Sequence, residues 1–146
     1  MNPEVDKILD FSASQLMTQL APLLPSGYAQ GSASLLSMMM MLAAQEYDRA
    51  AEIRVAENTD LRALFGELAP LISDPALRTD LQRAATKKDA SLAISALNTS
   101  NAEFRRLLIA LQAHMEEAAG IVARTAEARI WEVLKASAAR RLLKLA

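Results

Sequence analysis

LLSMMMMLAAQEYDRAAEIRVAENTDLRALFGELAPLI, residues 35–72, decides the fold class. Tyr47, Ala51, Arg54, Asn58, Leu61, Phe65, Leu68 and Ile72 recur at alternating steps of four and three residues, one stripe of an α-helix with coiled-coil character. The opening of the stretch, Leu35, Leu36 and Met38 to Leu42, is apolar all round, which predicts burial on several sides. Ser32 or Ser34 can cap such a helix, and Ser73-Asp74-Pro75 ends it, because proline disfavours a helical residue before it. The expected element covers 34–72.

Working outward, Pro75 suits the first position of a new helix, and Leu77 and Leu81 mark a short connecting one over 75–86. After a break at Lys87–Asp89 the stripe resumes as Ile94, Leu97, Asn101, Phe104, Leu108, Leu111, Met115, Ala118 and Val122. Ile130, Trp131, Leu134, Leu142 and Leu145 continue it, which predicts a helix over 90–145. Two features compete with that reading. Ser100-Asn-Ala-Glu103 fits a capping box and offers a later start, and Gly120 is a weak point inside the helix. Upstream, Pro3, Glu4 and Asp6 suit a helix start, and Val5, Ile8, Leu9, Leu16 and Leu20 give an amphipathic helix over 4–20. Pro22, Pro25 and Gly27 then make a linker to about Gly31. The expectation is a single all-α domain over 1–146: a long antiparallel helical hairpin turning near residue 81, with an extra N-terminal helix, packed as a bundle.

Composition agrees. Apolar residues make up 52% of the chain but aromatics only 4%, so Ala, Leu and Met carry the hydrophobicity and favour helix over sheet. Cysteine is absent, which removes disulfides and thiolate chemistry. The N-terminus lacks the basic and apolar regions of a secretory signal, and Leu35–Ala44 is half the length of a membrane span. A soluble, cytoplasmic protein is expected. Residues 1–60 hold eight acids and three bases, whereas 121–146 hold six bases and two acids. The acidic start and basic end can pair with each other or recruit partners of opposite sign.

Sites for chemistry are few. No phosphate loop, nucleophile elbow or paired Glu-x-x-His occurs, so no catalytic residue is assigned and enzyme activity is not expected. A hairpin turning near residue 81 would bring His114 level with Asp48 and Glu117 level with Glu46. That fallback cluster resembles half of a di-metal helix-bundle site with too few ligands, so no metal or other cofactor is expected. Asn58 and Asn101 fall near each other on the two stripes, where polar residues fix register. Arg54 can pair with Glu57. Met38 to Met41 suit core packing or a surface that accepts varied partners, and core packing is preferred. In the basic tail, Trp131, Leu134, Arg140, Arg141 and Leu142 form the expected partner-binding face, with Trp131 as anchor. Neither nucleic acid nor a membrane is an expected partner, since one tryptophan and a balanced charge are too little for either.

The segment Ala96-Leu-Asn98-Thr-Ser-Asn101-Ala-Glu-Phe104-Arg-Arg-Leu107-Leu108 resembles the stretch of two spaced asparagines before a leucine pair in bacterial flagellar export chaperones for hook-associated proteins. The resemblance implies a cytoplasmic all-helical chaperone that keeps an export substrate soluble and binds it through its C-terminal helical part. The first functional expectation is therefore a non-enzymatic interaction protein, chaperone- or adaptor-like, that binds a helical or unfolded protein segment. The alternatives are a bundle with an internal metal or small-molecule site, and a structural homo-oligomer such as a homodimer.

Overall fold

The computed structural model describes residues 4–118 and 120–143, and all regular structure among them is helical. Pro3, Lys144, Leu145 and the expected end of the last helix lie outside the described residues. Helix α1 spans Val5–Gln15 and runs through a π-turn at Leu16–Leu20 into a 3-10 turn at Ala21–Leu23 that contains Pro22. Helix α2 spans Gly27–Leu68, starting earlier than expected because Ser26 Oγ accepts the Ala29 N–H at 3.2 Å. It closes in a 3-10 turn at Ala69–Leu71, where Pro70 cannot donate a helical hydrogen bond. Helix α3 spans Pro75–Thr86, capped by Asp74, whose carboxylate accepts the Ala76 N–H at 2.8 Å.

The expected helix over 90–145 is two helices. α4 spans Ile94–Glu117 and α5 spans Ile121–Arg140. Gly120 separates them with φ 117°, a conformation that side-chain-bearing residues rarely adopt. Neither expected start of α4 is used. Ala93 is its N-cap, and Ser100, the proposed cap, is buried one and a half turns inside.

Where one domain was expected, the chain forms two compact units that divide α2 at Ala50/Ala51. The first unit contains residues 4–50 with Leu143, and the second contains Ala51–Leu142. In the second unit, residue pairs give the helix directions. Arg54 meets Asn98, Asn58 meets Asn101, Phe65 meets Phe104, and Ser73 lies beside His114. Both numbers rise together, so α4 runs parallel to α2. Glu67 with Arg129, Asp60 with Arg140 and Glu57 with Arg141 run oppositely, so α5 is the antiparallel neighbour from the end of the chain. α3 also returns along α2, with Arg62 Nε donating to the Lys87 carbonyl and Gly66 facing the Ala85 methyl.

The second unit is therefore a four-segment helical bundle, α2 from Ala51, α3, α4 and α5, with a step back at each turn. The short connecting helix is long enough to recross the bundle, which reverses the direction expected for α4. Its core joins Leu61, Leu64, Phe65, Leu68 and Ile72 to Leu81, Phe104, Leu108, Leu111, Met115 and Ile130. Phe65 and Phe104 meet edge to face with centroids 6.0 Å apart.

In the first unit, the buried positions are small: Ala13, Ala21, Ala33, Ser37, Ala44 and Ala50. Met38, Met39 and Met41 are exposed, contrary to the expected core packing of the methionine run.

Candidate interaction surfaces

Glu57 precedes the stripe residue Asn58 on α2 and is only 2% exposed. A carboxylate in that position must be compensated, and α4 and α5 supply the partners. Arg141 grips both oxygens at 2.6 Å, through Nε to Oε1 and Nη2 to Oε2. Ser137 Oγ donates to Oε1 at 2.6 Å, and Arg105 Nη2 stands 3.6 Å from Oε2. Burial pushes the carboxyl pKa up, but the hydrogen bonds from Arg141 and Ser137 and the charges of Arg141 and Arg105 outweigh it and hold it at about 2. The carboxylate is thus a structural anchor that is ionised at neutral pH.

The chain of contacts continues inward. Asn101 Nδ2 donates to Asn58 Oδ1 at 3.0 Å, and Arg105 Nε donates to Asn101 Oδ1 at 2.8 Å. Asn58 Nδ2 donates to Asp89 Oδ1 at 3.0 Å, and Asp89 in turn pairs with Arg62 at 2.6 Å. Arg62 also lies over the Phe104 ring, 5.3 Å from its centroid. One polar line thus ties α2 to the α3–α4 connection, α4 and α5.

Asn58 and Asn101 are therefore in contact. Arg54 donates to Asn98 Oδ1 at 2.8 Å, and the expected Glu57 pairing is instead made by Arg141 and Arg105. A signal for Glu57 existed in its helical spacing with Ile53, Leu61, Leu64 and Leu68, which the stripe through Asn58 leaves out in part. Its partners had no sequence signal, since they lie 48 to 84 positions away.

The expected partner-binding face divides in the structure. Arg140 pairs with Asp60 at 2.6 Å, Arg141 holds Glu57, and Leu134 packs partly buried against the core, so these three residues knit α5 to the bundle. Trp131, 55% exposed, and Leu142 stay on the outside. The fallback metal ligands are divided between the two units. Glu46 and Asp48 belong to the first unit, while His114 and Glu117 end α4, with His114 Nε2 3.4 Å from Ser73 Oγ. Among the described residues, no group of three or more His, Cys, Asp or Glu could hold a metal ion. The recess between Glu57, Leu61, Leu108 and Leu134 is a cavity of only about 10 Å³, far below the size of typical small-molecule pockets.

The first unit presents the opposite kind of surface. Phe11–Gln45 contains no Asp, Glu, Lys, Arg or His, a run of 35 residues that spans both helices of the unit. Ten of its large apolar side chains are exposed, among them Phe11, Tyr28, Leu35, Met38 and Met39. On α2 the buried Ala33, Ser37 and Ala44 share one side. Leu35, Met39 and Leu42 follow each other at the same spacing on the opposite side. Among the described residues, no helix is long and apolar enough to cross a membrane. No protein-family model, curated protein or solved structure matches the chain.

Proposed function

We propose that this protein is a non-enzymatic helical interaction protein of the cytoplasm, chaperone- or adaptor-like, that binds an apolar helical or unfolded segment of a protein. The observation that carries this reading is the charge-free stretch Phe11–Gln45, whose helices leave Phe11, Leu35, Leu36, Met38 and Met39 uncovered. Methionine and leucine on a helix face adapt to varied apolar partners, because their side chains repack at little cost. The second unit supports this surface with a closed bundle and an ionised, saturated Glu57, which has no proton to give near neutral pH. Trp131 and Leu142 add a smaller apolar contact on the outer side of α5, within the C-terminal part through which the flagellar export chaperones it resembles bind substrate.

Light scattering of a chemically unfolded reporter protein, diluted into buffer with and without this chain, tests the reading. Suppression of aggregation that is lost in Phe11→Asp is the expected result. Scattering unchanged by the native protein, together with background binding of a hydrophobic dye, would reject it.

A further inference from the structure

We propose that the outward side of α2 in the first unit, Tyr28–Leu35–Met39–Leu42–Glu46, is covered by the same side of a second copy of this chain, running antiparallel. The inference rests on the reading of the first unit as an interaction surface and names the occupant of one part of it. Three observations point to a second copy.

First, the unit has no core of its own. Every buried residue in it is Ala or Ser, so the two helical segments bury almost none of the large side chains that stabilise helical pairs. Two copies bring together four segments, the smallest common arrangement in which helices enclose a hydrophobic interior.

Second, the area fits. Tyr28 is 88% exposed, Leu35 53% and Met39 57%, with Leu36 and Met38 flanking them. These side chains offer on the order of 500 Å² per copy, most of the roughly 800 Å² per partner that a standard interface buries.

Third, the charge pattern selects self-pairing and its direction. Tyr28, Ser32, Leu35, Met39, Leu42 and Glu46 follow a 4-3-4-3-4 spacing, and no charge occurs before Glu46. Identical faces therefore meet without apposed charges along the seam, as an isologous two-fold contact requires. A parallel pair would stack Glu46 on its own copy. The antiparallel register that sets Leu35 against Met39 of the second copy sets Glu46 against Tyr28, whose hydroxyl can donate to the carboxylate.

The absence of native cysteine makes the test clean. Sedimentation of the full chain should give a dimer, and Met39→Glu should weaken it at least about a hundredfold, since each copy would bury an unpaired charge. Leu35→Cys and Met39→Cys chains, mixed and mildly oxidised, should form a disulfide-linked dimer in high yield. Neither variant alone should do so, because only opposed residues lie within disulfide reach.

Efficient cross-linking of each variant with itself would overturn the antiparallel register. A native monomer at high micromolar concentration would overturn self-pairing altogether. If that monomer still suppressed aggregation of the unfolded reporter, the interaction reading would stand without the dimer. A dimer that fails to suppress it would leave the pairing and remove that reading.

Discussion

Two helical regions of one chain solve the burial problem in opposite ways. In Ala51–Leu142 the helices enclose Phe65, Phe104, Leu64, Leu81, Leu111 and Ile130, all at most 2% exposed, and a buried carboxylate is fully compensated. In residues 4–50 the buried positions are Ala and Ser, while Leu, Met, Tyr and Phe face outward. Both regions are rich in residues that favour helix, so helicity does not distinguish them. The difference lies in where the large side chains point. One region uses them to hold itself together, and the other leaves most of them exposed.

The largest effect expected from this contrast is at Phe104, whose ring packs against Phe65 under the Arg62 guanidinium. Phe104→Ala should destabilise the second unit by about 4 kcal/mol, read from urea unfolding followed by circular dichroism. Leu23→Ala, at an exposed position of the first unit outside the proposed pairing face, should change the same transition by less than about 0.5 kcal/mol. Comparable losses from the two substitutions would break the comparison.

A smaller effect is expected at the polar anchor. Glu57→Gln keeps the size but removes the charge that Arg141 and Arg105 face, and should cost about 3 kcal/mol. The pH dependence sharpens this test. Because the carboxyl is held at about 2 in the folded chain, below its ordinary 4.5, its ionised form favours folding. That contribution is complete above pH 4.5 and fades as pH falls towards 2. The urea midpoint of the native chain should drop across that window, and that of Glu57→Gln should drop less. Equal slopes would remove Glu57 from the account.

The smallest effect concerns the break between α4 and α5. Gly120→Ala forces a side chain onto φ 117° and should cost about 1 to 3 kcal/mol without changing helix content. A gain in ellipticity would instead mean that the two helices fuse into the single one the periodicity suggests.

Local signals were readable wherever they concern a few neighbouring residues. The helix class, the new helix opened by Pro75, and the stripe from Asn58 to Ile72 all follow from spacing and from the geometry of proline. Asn58 and Asn101 meet, although the direction assumed for α4 was the opposite one. The methionine run shows the limit. An all-apolar turn reads the same whether it is packed inside or displayed, since hydropathy records what a side chain prefers and says nothing of what the rest of the chain can cover.

What this sequence determined by itself is that the chain is helical, where the helix opened by Pro75 starts and stops, and that Asn58 to Ile72 carries a stripe facing the core, because backbone propensity and i, i+4 geometry act over a few residues. Tertiary structure alone decided three things: α3 recrosses the bundle so that α4 runs with α2, Arg141 reaches Glu57, and the first unit keeps its large side chains outside. Each depends on which distant segments meet, and that follows from the volume and burial of the whole chain, not from any window along it.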